Sequence, residues 1–187
     1  MKKLLLIICT LFAFNAIAQE NYGKLRLSGF IQSEVEDALN FQADYSYMEF
    51  VNKHVYVSAG AGLLYSNTIN ETIRKISSNS LSICTPINIG YRIKTAKDFD
   101  LDIYTGVQLD LLLFGYYYDQ RYDKAVKDYI KEINPFSLSY NIGVSLNVIK
   151  KFGIFAEYNR ALSIGTFGTC GNNVSNYLQI GLLFTFE

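Results

Sequence analysis

The sequence predicts an all-β protein, an eight-stranded antiparallel up-and-down transmembrane β-barrel. Three observations lead there. Eight stretches alternate apolar and polar residues with period two, the connections between them are long and short in turn, and aromatic residues collect near the stretch ends. Successive strand side chains point to opposite faces, so this alternation gives each strand one apolar and one polar face. A tilted strand of about 9 to 11 residues crosses a bilayer, and each stretch reaches that length.

In chain order, the first segment is a targeting signal rather than a strand. Lys2 and Lys3 form a positive start, Leu4 to Phe14 an apolar run, and Ala16-Ile17-Ala18 the small-x-small pattern before a cut. Residues 1–18 are expected to be removed, leaving 19–187 as a single outer-membrane barrel domain. The apolar run is too short for a transmembrane helix, which needs about 20 such residues. A lipoprotein cut at Leu6-Ile7-Ile8-Cys9 would leave almost no apolar core in the signal.

The strands then read as Lys24 to Ser33, Phe41 to Phe50, His54 to Tyr65, Ser80 to Ile93, Phe99 to Phe114, Phe136 to Ile149, Phe152 to Ile164 and Asn176 to Phe186. Val51 to Lys53, Lys94 to Asp98 and Lys150-Lys151 are short turns. Glu34 to Asn40, Ser66 to Asn79, Gly115 to Pro135 and Gly165 to Ser175 are longer loops. In an outer membrane the short turns face the periplasm and the long loops the outside. Pro86 removes one ladder donor from the fourth strand and is expected to mark a bulge.

Parity sorts the faces. In the fourth strand Leu81, Ile83, Ile87, Ile89, Tyr91 and Ile93 share one side, with Ser82, Cys84, Pro86, Asn88, Gly90 and Arg92 on the other. The sixth alternates Tyr140, Ile142, Val144, Leu146 and Val148 with Ser139, Asn141, Gly143, Ser145 and Asn147. A water-soluble lipocalin-type barrel shows the same period with the apolar face inward. Against it stand a polar face of small Ser, Gly and Asn residues that suits a narrow lumen, and apolar faces running nearly the whole strand. Tyr65, Tyr91, Phe114, Tyr116, Phe136, Phe152 and Tyr158 form an interfacial girdle.

The composition excludes several function classes. Without Lys2 and Lys3 the 17 basic residues become 15 against 17 acidic ones, a net charge of about −2, and no basic patch points to nucleic acid. In the mature chain Cys84 and Cys170 have no metal or redox spacing, so no cofactor and no metal site is expected. Catalysis is disfavoured too. The one histidine, His54, shares a face with Ser58, but side chains four apart on one strand lie about 13 Å apart, beyond the hydrogen-bond reach a nucleophile and base require.

Ala18-Gln19, Pro86-Ile87-Asn88-Ile89-Gly90-Tyr91, Ala156-Glu157-Tyr158-Asn159 and Leu178-Gln179-Ile180-Gly181-Leu182 together resemble the PorT-like outer-membrane β-barrel family across the mature chain. The resemblance implies an eight-stranded barrel in the cell outer membrane, with some members tied to protein secretion. Two features depart from the pattern. The final aromatic, Phe186, lies one residue before the C-terminal Glu187, and tryptophan is absent.

Two sets of residues are candidates for function. Inward parity carries Arg26, Asp44, Arg92, Asp100, Asp102, Asp110 and Glu157, a charge network that either plugs the lumen or lines a path for ions or small solutes. With the turn centred near Ala96, Arg92 is expected opposite Asp100 and diagonal to Asp102. In the third long loop, Tyr122, Val126, Tyr129, Ile130 and Ile133 recur at spacings of three and four, so Arg121 to Ile133 reads as a short amphipathic helix. That helix either caps the barrel mouth or docks a partner. The expected role is a structural or interaction component of the envelope, set in outer-membrane lipid and contacting an envelope or secretion-system protein. A narrow transport pore is the alternative.

Overall fold

A computed structural model describes residues 21–32, 37–70, 76–96, 99–119, 124–126, 136–149, 151–162 and 176–186. They form nine strands: β1 (Asn21–Gln32), β2 (Asp37–Phe50), β3 (Val55–Asn70), β4 (Ile76–Ala96), β5 (Phe99–Asp119), β6 (Lys124–Val126), β7 (Phe136–Ile149), β8 (Phe152–Leu162) and β9 (Asn176–Phe186). Eight of them build the wall in the order β1-β2-β3-β4-β5-β7-β8-β9, each antiparallel to the next, and β9 pairs with β1 to close it. The short β6 is an extra return strand on the outer end of β5. The segment 1–18 lies outside the described residues.

The registers fix the stagger of the barrel. Tyr22 pairs with Met48, then Ser58, Asn88, Gly106, Asn141, Asn159 and Tyr177, and Tyr177 pairs with Gln32, ten residues beyond the start on the same strand. Eight strands with this stagger tilt by about 35–45° and leave an interior just wide enough for side chains to fill. Closure leaves no free edge at the level where all eight wall strands pair, which a lipid environment requires because it offers no hydrogen bonds to unpaired backbone.

Which face is outward decides the solvent. Ile87 is 55% exposed, Ile142 53% and Ile180 57%, while Ser46, Ser82, Asn88, Ser139, Asn141 and Asn159 are buried on the inner face. Apolar area in water costs about 25 cal/mol per Å², so an outer surface of this kind belongs in hydrocarbon, and the lipocalin-type alternative is excluded. Tyr91, Phe114, Phe136 and Tyr158 of the expected girdle are exposed, and Phe41, Tyr45, Tyr47, Phe99 and Phe186 join them.

One row of the lumen shows how sequence sets packing. Tyr56 pairs with Gly90, Gly90 with Tyr104 and Tyr104 with Gly143, so large and small residues alternate around the wall. A β-carbon on Gly90 would run into the Tyr56 ring and one on Gly143 into the Tyr104 ring. Each tyrosine lies over its glycine neighbour, and a narrow barrel has room for the ring only there.

Several elements differ from expectation. β3, β4 and β5 run on to Asn70, from Ile76 and to Asp119, so much of the predicted loops 66–79 and 115–135 is paired strand. Beyond the bilayer no lipid demands an apolar outward face, and polar residues such as Ser77 to Ser80 continue the ladder without alternation. The register between β4 and β5 breaks at Leu81/Ser82, not at Pro86. Around the proline the register between β3 and β4 is the same on both sides, while Gly60 and Ala61 of β3 and Thr85 and Pro86 of β4 drop out of the ladder. The expected helix over Arg121 to Ile133 is corrected at Lys124–Val126, which form β6 with Val126 opposite Tyr117.

Replacing Gly143 by Leu should displace Tyr104 and lower stability by about 1–3 kcal/mol, the usual range for overpacking. Gly29→Ala, where the nearest atom to an added β-carbon is 3.7 Å away, should be tolerated. Urea unfolding of both variants in lipid vesicles checks the contrast.

Candidate functional site

The lumen is crossed by charge at two levels, and strand parity puts it there. Near the end bounded by the short turns, Asp102 of β5 accepts Arg92 Nε at 2.7 Å and Nη2 at 3.0 Å, one bond to each carboxylate oxygen. Lys24 Nζ of β1 reaches Asp102 Oδ2 at 2.7 Å, and Ser145 Oγ donates to the same oxygen at 3.4 Å. β1 and β5 stand four strands apart in either direction round the wall, so the Lys24–Asp102 pair spans the full bore.

Aromatic rings shield this level. The Arg92 guanidinium carbon lies 4.9 Å from the Phe50 ring centre and 5.7 Å from Tyr22, and Lys24 Nζ sits 5.5 Å from Tyr56. Met48, Phe50, Tyr56 and Tyr104 pack together around them. Rings of this kind attract cations and keep water away from the pairs.

At the middle level Arg26 holds two acids. Its Nε donates to Asp44 Oδ1 and its Nη1 to Glu157 Oε2, both at 2.8 Å, while its guanidinium carbon lies 5.2 Å from the Phe155 ring. Gln42 Nε2 donates to Asp44 Oδ2 at 2.9 Å and to Gln108 Oε1 at 3.3 Å, tying β2 to β5. Gln108 Nε2 donates to Asp110 Oδ1 at 2.9 Å and Tyr177 Oη at 3.3 Å. Asn159 Nδ2 bonds both Glu157 Oε1 and Gln179 Oε1, and Gln179 Nε2 donates to Ser28 Oγ. Above these, Phe30, Leu64, Cys84 and Tyr177 form an apolar layer.

The predicted lumen residues are therefore distributed unevenly. Arg26, Asp44, Arg92, Asp102 and Glu157 lie buried in the paired network. Asp100 sits at the rim with its side chain 31% exposed and 3.7 Å from Arg92. Asp110 is held by Gln108 and by Ser137 Oγ at 3.3 Å. The expected cross-strand pairing is off by two residues: Arg92 faces Asp102 and Asp100 faces Lys94, because the turn centre lies one residue past Ala96 and a register shift falls between Lys94 and Ala96.

Sequence reasoning passed over Lys24, Gln42, Gln108 and Gln179. All four lie buried on the inner face, and Lys24 shares the parity of Arg26, which was the available signal. Arg121, Tyr122, Tyr129, Ile130 and Ile133 of the expected docking loop lie outside the described residues, and only the backbone of Val126 is placed.

Between the two levels lies a cavity of about 20 Å³, lined among others by Lys24, Arg26, Tyr56, Asn88 and Tyr104, with room for about one water. Among the described residues no group of His, Cys, Asp and Glu is arranged to hold a metal ion. His54 stands outside on the turn before β3, its ring stacked on Tyr91 and its Nδ1 3.0 Å from the Arg92 carbonyl oxygen, while Ser58 is buried inside. The two do not share a face as the sequence implied, since His54 precedes the strand.

A closed wall of eight antiparallel strands, apolar outside and charge-filled within, defines a small outer-membrane β-barrel. The chain belongs to the outer membrane protein beta-barrel domain family, which matches residues 22–164. It lies in the outer membrane. Among solved structures it is similar to the N-terminal β-barrel domain of OprF from Pseudomonas aeruginosa, with 13% identity over 90% of this chain and 99% of that one and a TM-score of 0.50. It is also similar to Ail, the attachment invasion locus protein of Yersinia pestis (13%, 89% and 97%, TM-score 0.48). A third is the outer membrane enzyme PagL (11%, 89% and 99%, TM-score 0.46). At such identities the likeness extends to the fold and assigns no activity. No curated protein matches the chain.

Arg26→Met should leave Asp44 and Glu157 buried without a cation and cost about 3–5 kcal/mol of stability. Adding Asp44→Asn and Glu157→Gln should recover much of that loss. Denaturant midpoints of the single and triple variants in vesicles are the check.

Proposed function

We propose that this protein is a non-conducting barrel of the PorT-like kind, a structural or interaction component of the envelope whose outer loops engage an envelope or secretion-system protein. The observation that carries the reading is the Lys24–Asp102 ion pair across the full bore. It is locked on one side by the bidentate Arg92 contact and backed by the Arg26 level above it. A pore for ions or small solutes requires a continuous wet path, and the space between the two paired levels is about 20 Å³, room for about one water.

The outer end supports the interaction role. β3, β4 and β5 extend past the apolar band, and β6 returns along β5, so this side of the wall carries paired backbone out of the membrane. The loop between β5 and β7 departs from that extension at Asp119 and includes β6. Rigid strands that present a loop in this way are a common basis for recognition. The link to secretion rests on the PorT-like resemblance of Ala156-Glu157-Tyr158-Asn159 and the closing strand.

Purified protein in planar bilayers should show no conductance steps above the lipid background, and crosslinking in intact cells should capture a reproducible partner that is lost when residues 121–133 are deleted. Discrete channels in the unmodified protein would overturn the closed-barrel reading. A partner retained by the deletion would remove the loop from it.

A further inference from the structure

One charge of β8 faces away from the lumen network. Ile154, Tyr158, Arg160 and Leu162 are exposed on the outward face of the strand, while Phe155, Glu157 and Asn159 are buried inside. Arg160 thus stands on the hydrocarbon side of the wall. Directly opposite it are Tyr140 of β7 and Asn176 of β9, which share its outward parity. Cross-strand neighbours of this kind have β-carbons about 4.5–5.5 Å apart, so a phenol, a guanidinium and an amide form one polar row across three strands. Apolar residues enclose the row, with Ile142, Tyr158 and Leu178 on the side of the bilayer centre and Leu138 and Leu162 on the side of the outer end.

The height of the row follows from strand geometry. Phe152 of the girdle starts β8 at the short-turn end, and Arg160 lies eight residues further along the strand. At about 3.3 Å per residue and a tilt of about 40°, that is roughly 20 Å up an apolar band about 25 Å tall. Arg160 therefore sits just inside the outer boundary of the band. An arginine facing lipid is costly at the midplane and nearly free at the interface. From this depth the apolar stem of Arg160 carries its guanidinium to the headgroup level.

No acid on this side of the wall competes for the guanidinium. The described outward faces of β7, β8 and β9 hold no aspartate or glutamate, and residues 163–175, which connect β8 to β9, hold no charged residue. The ion pairs of the described residues do not include Arg160. A guanidinium matches phosphate with two parallel N–H···O bonds, and the flanking hydroxyl and amide add donors on either side. The surroundings at this height are lipid, so the phosphate that fits is one carried by a lipid.

We propose that Arg160, Tyr140 and Asn176 form a binding site for the phosphate of an outer-leaflet glycolipid. Arg160 grips the phosphate in a bidentate contact, Tyr140 and Asn176 donate from the flanks, and an acyl chain lies against Ile142, Tyr158 and Leu178. The site rests on the outer-membrane location alone, independent of the closed lumen and of the partner-binding loop.

Native mass spectrometry of the folded mature protein in detergent micelles, titrated with diphosphoryl lipid A, counts the glycolipid retained. The unmodified protein should retain it about ten-fold more strongly than lipid A stripped of its phosphates, as expected for hydrogen bonds to a charged group. Arg160→Gln should remove most of that preference. Tyr140→Phe combined with Asn176→Ala should reduce it about three-fold, the worth of neutral donors. Lys151→Gln, which removes an exposed base at the opposite end of the barrel, should leave it unchanged. The heat-dependent shift on an unboiled gel reports that each variant is folded. Equal retention of the two forms by the unmodified protein, an undiminished preference in Arg160→Gln or in the Tyr140→Phe, Asn176→Ala variant, or an equal loss in Lys151→Gln would overturn the proposal.

Discussion

The structure depends on one buried carboxylate. Asp102 is fully buried in the bore, gripped by Arg92 from the adjacent strand and by Lys24 from the opposite wall. An isolated carboxylate there would cost several kcal/mol in lost hydration, as would either cation. Each group is tolerable because the others are in place, so the three behave as a unit that forms only once the wall has closed and brought β1 opposite β5. The pairs contribute specificity to a barrel whose main stabilisation is lipid-facing apolar area and a complete backbone ladder.

The stagger of ten residues governs what meets across the bore. It brings Lys24 to the level of Asp102 and Arg26 to the level of Asp44 and Glu157, and it lines up Tyr56, Gly90, Tyr104 and Gly143 in one row. Charge, ring and space thus follow from register. A slip of one residue would exchange the inner and outer faces of a strand, driving arginine into lipid and isoleucine into the bore. The bidentate Arg92–Asp102 contact and the glycine–tyrosine pairs oppose such a slip, since each works in one register only.

The period-two pattern made most of the wall legible. Ser139 to Val148 alternates cleanly because lipid acts on one side and the packed lumen on the other, and β7 spans it. Legibility ended where one of those two constraints ended. Above the bilayer, Ser77 to Ser80 and Tyr116 to Asp119 pair as strand without an apolar face to announce it, so they resembled loop. Tyr122, Val126 and Tyr129 recur at helical spacing, yet Lys124–Val126 within that stretch pair with Tyr117 to Asp119 as strand, a tertiary contact that local periodicity does not report. Within the lumen, parity found Arg26, Arg92 and their acids, but cross-strand partners depend on turn register, and a turn centre misplaced by one residue moved Arg92 two positions. Lys24 carried the right parity, yet its partner stands across the bore, a relation set by the stagger and absent from any single strand. Gln42, Gln108 and Gln179 are uncharged, so alternation alone did not mark them as network members.

The central claim is that Lys24 and Asp102 interact directly across the barrel. A double-mutant cycle with Lys24→Met and Asp102→Asn, read from unfolding free energies in vesicles, measures that interaction. The account predicts a coupling on the order of 2 kcal/mol, with the second substitution costing much less once the first is present. Additivity within about 0.3–0.5 kcal/mol would contradict it, because residues that share no contact add in that way.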